Sequence, residues 1–428
     1  MQLSQLTRKQ IITFGAIGLG VLILILVLIG FLPGRRGGDR VSLEFWGIDD
    51  EKVWEPTIKS FRRVYPEVSI DYTEVDPDSY ESDLVNALAA GRGPDVFMFK
   101  STWLSKHQNK LYPASTSKIS ADTVSGLFPQ VVRADFVSDE RIYALPVSVD
   151  TLALVYNRDI FDRKGVALPP KTWSDFEAAI GKLRAFEGGN LTLAGASIGG
   201  ASRNIPHAPD ILSLLLIQRG LLVVNPDLGK VDLTGRTAEE AVIFYLKFSD
   251  PESSVYTWNS NFDSSIEAFA DERAAMILAY ADELSEIEER NPSIDLAVSQ
   301  TPQFTLAEPI NFAKYWGLAV SSTSAVEARA AAWDFVIFAT TDETSATGYL
   351  KATSRPPALR FLINQYLNDS NFGVFAGQAL TAKSWPQPDE NKVKSIFDKM
   401  IESVSAGELS LKEALERAEV ELNILLRK

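Results

Sequence analysis

The stretch Asp139–Leu183, DERIYALPVSVDTLALVYNRDIFDRKGVALPPKTWSDFEAAIGKL, reads as a surface turn, an extended strand, a second long strand and a proline-terminated loop that opens a helix. Thr151–Tyr156 is apolar and rich in β-formers, which suits a strand buried within a sheet. Pro169 and Pro170 cannot extend a ladder, and Thr172 with Asp175 predicts an N-cap pair ahead of a helix over 176–183. Trp173 falls inside that helix-start signature, a place for a core or staple residue. The spacing therefore gives an α/β chain in which one strand crosses a boundary.

Upstream, Val41–Trp46 alternates as a strand, Val53–Tyr65 has helical spacing until Pro66 stops it, and Val68–Tyr72 is extended again. Tyr80–Ala90 predicts a second helix, ended by Gly91 and Gly93 with Pro94 behind them, and Val96–Phe99 is a short buried strand. That alternation predicts right-handed crossovers and a mostly parallel sheet. Downstream, Leu212–Val224 is interrupted by Gln218, Arg219 and Gly220, so it reads as a buried helix and strand edge rather than a membrane span. Ser410 with Glu413 forms a capping-box pattern, and Leu411, Leu415, Leu422 and Leu425 give an amphipathic C-terminal helix, expected to pack onto the second lobe, with a partner-binding helix as the alternative. A body of about 390 residues exceeds what one hydrophobic core serves, so two lobes are expected.

Ile11–Leu32 is uncharged and almost wholly apolar, bracketed by Arg8 and Lys9 on one side and Arg35, Arg36 and Arg40 on the other. As a helix it would span roughly 33 Å, enough for a hydrocarbon core of about 30 Å. No small-x-small cleavage pattern precedes Pro33, and the apolar run exceeds the core of a signal peptide, so an uncleaved anchor is expected. Residues 1–10 would be its cytoplasmic tail and the Gly-, Pro- and Arg-rich 33–40 a short linker. The chain has no cysteine, which excludes disulfides, thiolate metal sites, cysteine nucleophiles and a lipidated cysteine. Residues 1–40 are basic, so the body is more acidic than the net charge of −14 of the whole chain. Such a body repels nucleic-acid phosphates at long range.

Several motifs carry a family resemblance. ALPVSVDTLALVYNRDIF and GVALPPKTWSDF resemble the hinge-crossing segment of bacterial extracellular solute-binding proteins of the maltose-binding type, which capture ligands for ABC importers. FRRVYPEVSIDYTEV, LVNALAAGRGPDVFMF and WLSKHQNKLYPA resemble the opening third of the same family, with the Gly-Pro-Asp-Val turn the most specific piece. AFADERAAMILAY, TPQF, YWGLAVSSTSAVEARAAAWDFVIF and ATSRPPALR follow in family order. Asp271-Glu272-Arg273 departs from the family, which usually has a Gly-Lys or similar turn there.

The resemblance implies a two-lobed, periplasmic-binding-protein-like α/β fold with hinge-linked lobes and a ligand cleft between them. It puts crossings near Pro146–Thr151, Val298–Phe304 and Ala339–Glu343. Lobe one is then 41–148 with 299–341, and lobe two 149–298 with 342–428. It implies an extracytoplasmic body, an ABC permease as partner, a separate ATPase chain, a monomer and no cofactor. A sensor or surface adhesin using the same fold without transport is the alternative.

Mapped onto strand ends and turns, the resemblance gives twelve candidate ligand-binding residues. Trp46 and Asp49 follow the first strand, Lys100 and Trp103 the third, and Asp150 lies at the first crossing. Trp258 and Asn259 precede a helix, Tyr280 and Asp282 follow the strand 276–279, Trp316 and Gly317 form a turn, and Arg355 precedes a proline pair. Sugars offer a C–H face that stacks on aromatic rings and hydroxyls that need polar partners once dehydrated, so this set suits a carbohydrate. A polyol phosphate held by Lys100 and Arg355, or a small peptide, fits the same residues.

Enzyme readings fare worse. Gly195-Ala196-Ser197-Ile198-Gly199 matches a nucleophile-elbow string, but the only downstream histidine is His207, with no carboxylate between them. Two isolated histidines give no zinc motif, and there is no calcium-loop or phosphate-loop pattern.

Overall fold

The computed structural model describes residues 40–225, 229–370 and 372–426. The apolar run 11–32, and with it the expected anchor, lies outside the described residues; among those described, no helix is long and apolar enough to cross a membrane.

The chain forms two lobes, each around its own sheet. In the first, strands Val41–Gly47, Val68–Glu74 and Val96–Lys100 pair in parallel, joined by helices Glu51–Val64 and Tyr80–Ala89. Trp316–Val320 then lies antiparallel to Val96–Lys100, with Trp316 opposite Lys100, and Ala144–Pro146 closes the sheet. The expected parallel order thus holds for three strands, and the later return of the chain adds an antiparallel pair. The second sheet has Ala153–Asn157 between Met276–Ala279 and Leu296–Ser299, both antiparallel to it. Leu154, Val155 and Met276–Ala279 are all buried, because helices cover them.

Local signals fold as their chemistry dictates. Thr172 and Asp175 make a reciprocal capping box at 3.1 and 3.2 Å, and Trp173 is buried with its indole N–H donating to Gln218 at 2.7 Å. Ser410 and Glu413 cap helix Leu411–Leu426 in the same way, at 3.0 and 3.3 Å. The Asp271–Arg273 turn keeps its shape without glycine by holding Glu272 at φ 56°.

The two cores show where the chain passes between lobes. Val149 packs in the first core and Leu152 in the second; Phe312 packs in the second and Ala313 in the first. A third passage falls between Ala382, in the first core, and Trp385, in the second. This differs from the sequence reading, which places the last crossing at Ala339–Glu343. There Asp342 turns the chain between two helices and caps the second, accepting from Ser345 N at 2.9 Å, and Tyr349, Leu362 and Ile363 stay in the first core. The second return likewise comes at 312–313 rather than at 298–304.

Gln378 ties the crossing segments together. Its carbonyl accepts from Thr301 N at 2.8 Å, and its amide donates to Thr151 Oγ1 and to the Leu152 carbonyl, both at 3.0 Å. Asn311 adds a bond to Thr381 Oγ1 at 2.9 Å. Buried amides matched in this way fix the relative placement of the crossing segments where they enter and leave the second sheet.

Candidate functional site

A cleft of about 430 Å³ opens between the lobes. Of the twelve residues expected from sequence, Lys100, Asp150, Tyr280, Asp282, Trp316 and Arg355 line it. Asp49 stands behind Arg355. It is buried, accepts from the Arg355 guanidinium at 2.7 Å and from the Tyr349 hydroxyl at 3.1 Å, and so orients the arginine.

The remaining five do not line the cleft. Trp258 is fully buried beneath the second lobe, stacked on Phe262 with centroids 4.6 Å apart. Asn259 donates to the Tyr256 hydroxyl at 2.8 Å. Trp46 packs on the first core, while Trp103 is buried edge-on to Trp316 at 5.5 Å and supports that ring from behind. Gly317 serves strand pairing, since a Cβ there would meet the Leu145 carbonyl oxygen at 2.6 Å. An aromatic after a loop has the same sequence signature whether it faces a cleft or a core.

Ser148, His207, Glu283, Glu286, Lys314 and Tyr315 also line the cleft and escaped the sequence reading. Lys314 left no local signal: Trp316–Val320 runs antiparallel to its neighbour, so its start, not its end, faces the cleft.

The lining is strongly charged and mostly paired. Lys100 donates to Glu390 at 2.6 Å, Lys314 lies 3.4 Å from Asp210, and His207 meets Glu283 at 2.6 Å. Burial works to lower the His207 pKa, but Glu283 and Asp210 outweigh it and raise it to about 9, so the ring is cationic at neutral pH. Burial and the nearby Asp282 charge push the Asp150 carboxyl well above the usual range, although Thr151 N and Ala281 N donate to it at 2.7 and 3.0 Å. Two polar atoms on the lining, Ser148 Oγ and Arg355 Nε, are buried without a hydrogen-bond partner.

Among the described residues no hydrolytic constellation forms around Ser197. Its Oγ is buried without a partner, while His207 turns to Glu283 and Asp210. Among the described residues no cluster of histidine and acidic side chains is placed to hold a metal ion.

Two lobes with convergent polar groups in the cleft between them are the architecture of a solute-binding protein. The family model described as bacterial extracellular solute-binding protein matches residues 57–360, and the chain belongs to that family. A binding protein of Brucella abortus is 23% identical over 154 residues, 36% of this chain and 38% of that protein. A maltotriose-binding protein of Pyrococcus abyssi is 28% identical over 131 residues, 31% of this chain and 27% of its own. These alignments thus span well under half of either relative. The fold is shared with the cyclic α-maltosyl-1,6-maltose binding protein of Arthrobacter globiformis. That likeness has a TM-score of 0.76 at 19% identity and covers 90% of this chain and 99% of the other.

Proposed function

We propose that this chain captures a saccharide in the interlobe cleft, by hinge closure of its lobes, and delivers it to an ABC permease powered by a separate ATPase chain. Residues 11–32 tether it to the cell membrane, with 41–428 on the extracytoplasmic side, and it works as a monomer. The observation that carries the reading is the shared lining of one cleft by Trp316, a half-buried indole, and by the polar side chains of Lys100, Asp282, Glu286 and Arg355. An aromatic ring suits a sugar's C–H surface, and polar side chains suit its hydroxyls. Relatives named for maltotriose and for a cyclic maltosyl-maltose support the same ligand class.

Closure follows from the geometry if ligand touches both walls. Trp316 and Arg355 belong to lobe one, and Tyr280 and Asp282 to lobe two, so a ligand meeting both sets favours the closed state over the open one. The test is a thermal-shift screen of the full chain against neutral saccharides, polyol phosphates and short peptides. A ligand at about 100 times its dissociation constant adds about 2.7 kcal/mol to stability. A shift with saccharides alone supports the proposal; a shift only with phosphates or peptides overturns it.

A further inference from the structure

The tightest ionic contact between the lobes stands beside Trp316. Lys100 ends its strand in lobe one, and Glu390 opens helix Glu390–Ser405, whose Val393, Ile396 and Phe397 pack in the second core. Lys100 Nζ donates to one Glu390 oxygen at 2.6 Å, and the Thr102 hydroxyl donates to the other. Lys314 Nζ approaches the same carboxylate at 3.7 Å. One residue earlier, Asp389 lies 3.9 Å from Lys106 of lobe one, and Lys106 also binds Glu81 at 2.7 Å. Segments 100–106 and 389–390 thus form a charged seam that joins the lobes. Other ionic approaches between the lobes are looser: Lys314 Nζ to Asp210 at 3.4 Å and Arg355 Nε to Asp282 at 4.0 Å.

We propose that this seam limits ligand length, so that the cleft accepts a mono- or disaccharide and excludes longer chains. The inference rests on the carbohydrate reading above and goes beyond it by naming the size class and the residues that set it. Lys100 Nζ sits 5.6 Å from the centre of the Trp316 ring. The lysine thus covers one face of the indole, so a sugar seated against the rest of the ring abuts it, and a further ring placed past Lys100 would have to take the space between Lys100 and Glu390. Their side chains are only 22% and 16% exposed, so parting them leaves two poorly hydrated charges facing neutral hydroxyls. A short guest leaves the seam shut. A volume of about 430 Å³ also falls toward the small end of ligand pockets, which run from about 300 to 1,000 Å³.

Isothermal titration of the full chain with glucose- and mannose-based saccharides of one to six units tests this. Affinity should peak at one or two units and fall at least tenfold by four. In the double variant Lys100→Ser/Glu390→Ser, which removes both charges together, the ratio of tetrasaccharide to disaccharide affinity should rise at least tenfold. Should that variant fail to fold, the length series on the unaltered chain decides alone. Equal binding of dimers and tetramers by the unaltered chain, or an unchanged ratio in a folded double variant, overturns the length limit and leaves the carbohydrate reading standing. Failure of every saccharide to bind overturns both.

Discussion

Arg355 and Asp49 are 306 residues apart in the chain and 2.7 Å apart in space, and Tyr349 closes the set by donating to Asp49 and accepting from Arg355 at 2.6 Å. This triad fixes a cationic side chain that approaches Asp282 across the cleft. Arg355→Met should leave Asp49 buried with only the tyrosine hydroxyl. Loss of one partner from a buried pair costs about 3–5 kcal/mol, so urea unfolding should show a large drop in stability together with weaker ligand binding.

Trp316 and Trp258 should separate cleanly. Trp316→Ala is expected to weaken saccharide binding by ~10- to 100-fold, equivalent to about 1.4–2.7 kcal/mol, with little change in melting temperature. Trp258→Phe should lower stability by about 1 kcal/mol and leave affinity within twofold, because Trp258 is stacked inside the second core. Titration and thermal melts on both variants check the contrast.

Gln378→Leu should cost about 2–3 kcal/mol, read from chemical denaturation, since it strands Thr301 N and Thr151 Oγ1 at the buried crossing. Gln378→Glu keeps the acceptor for Thr301 N but sets a buried carboxyl oxygen against the Leu152 carbonyl, so it should cost at least as much as Gln378→Leu.

His207 gives a pH signature. Its pKa rises from about 6.5 unfolded to about 9 folded, so the folded protein binds the extra proton between those values. That stabilisation is fully present below pH 6.5 and fades as pH climbs through 9, by an amount on the order of 3 kcal/mol. His207→Gln should flatten this part of the stability-versus-pH curve. A slope that persists in the variant would mean that other groups produce it.

Much of the fold was legible because hydrophobic alternation and helix punctuation are local. The Thr172–Asp175 box, the Ser410–Glu413 box and the buried strand Val96–Lys100 all follow from neighbours within a few residues. Lys100, Tyr280 and Asp282 were readable for a related reason: each follows closely on a buried strand, where cleft residues gather. Lys314 and Ser148 were not, because their position depends on an antiparallel return and a crossing that only the assembled sheets reveal. The last crossing was misplaced for the same reason. A turn after helix Val326–Thr341 resembles a passage between lobes until Tyr349 and Ile363 are seen in the first core.

The late passage at 382–385 bears on biogenesis. Lobe one needs Trp316–Val320 to complete its sheet, and lobe two needs Phe397, Leu415 and Leu422 to fill its interior. Neither half can finish folding on the ribosome until nearly the whole polypeptide has been synthesised. A chain held incomplete for that long leaves both interiors open to chaperones and proteases until Leu422 has been added.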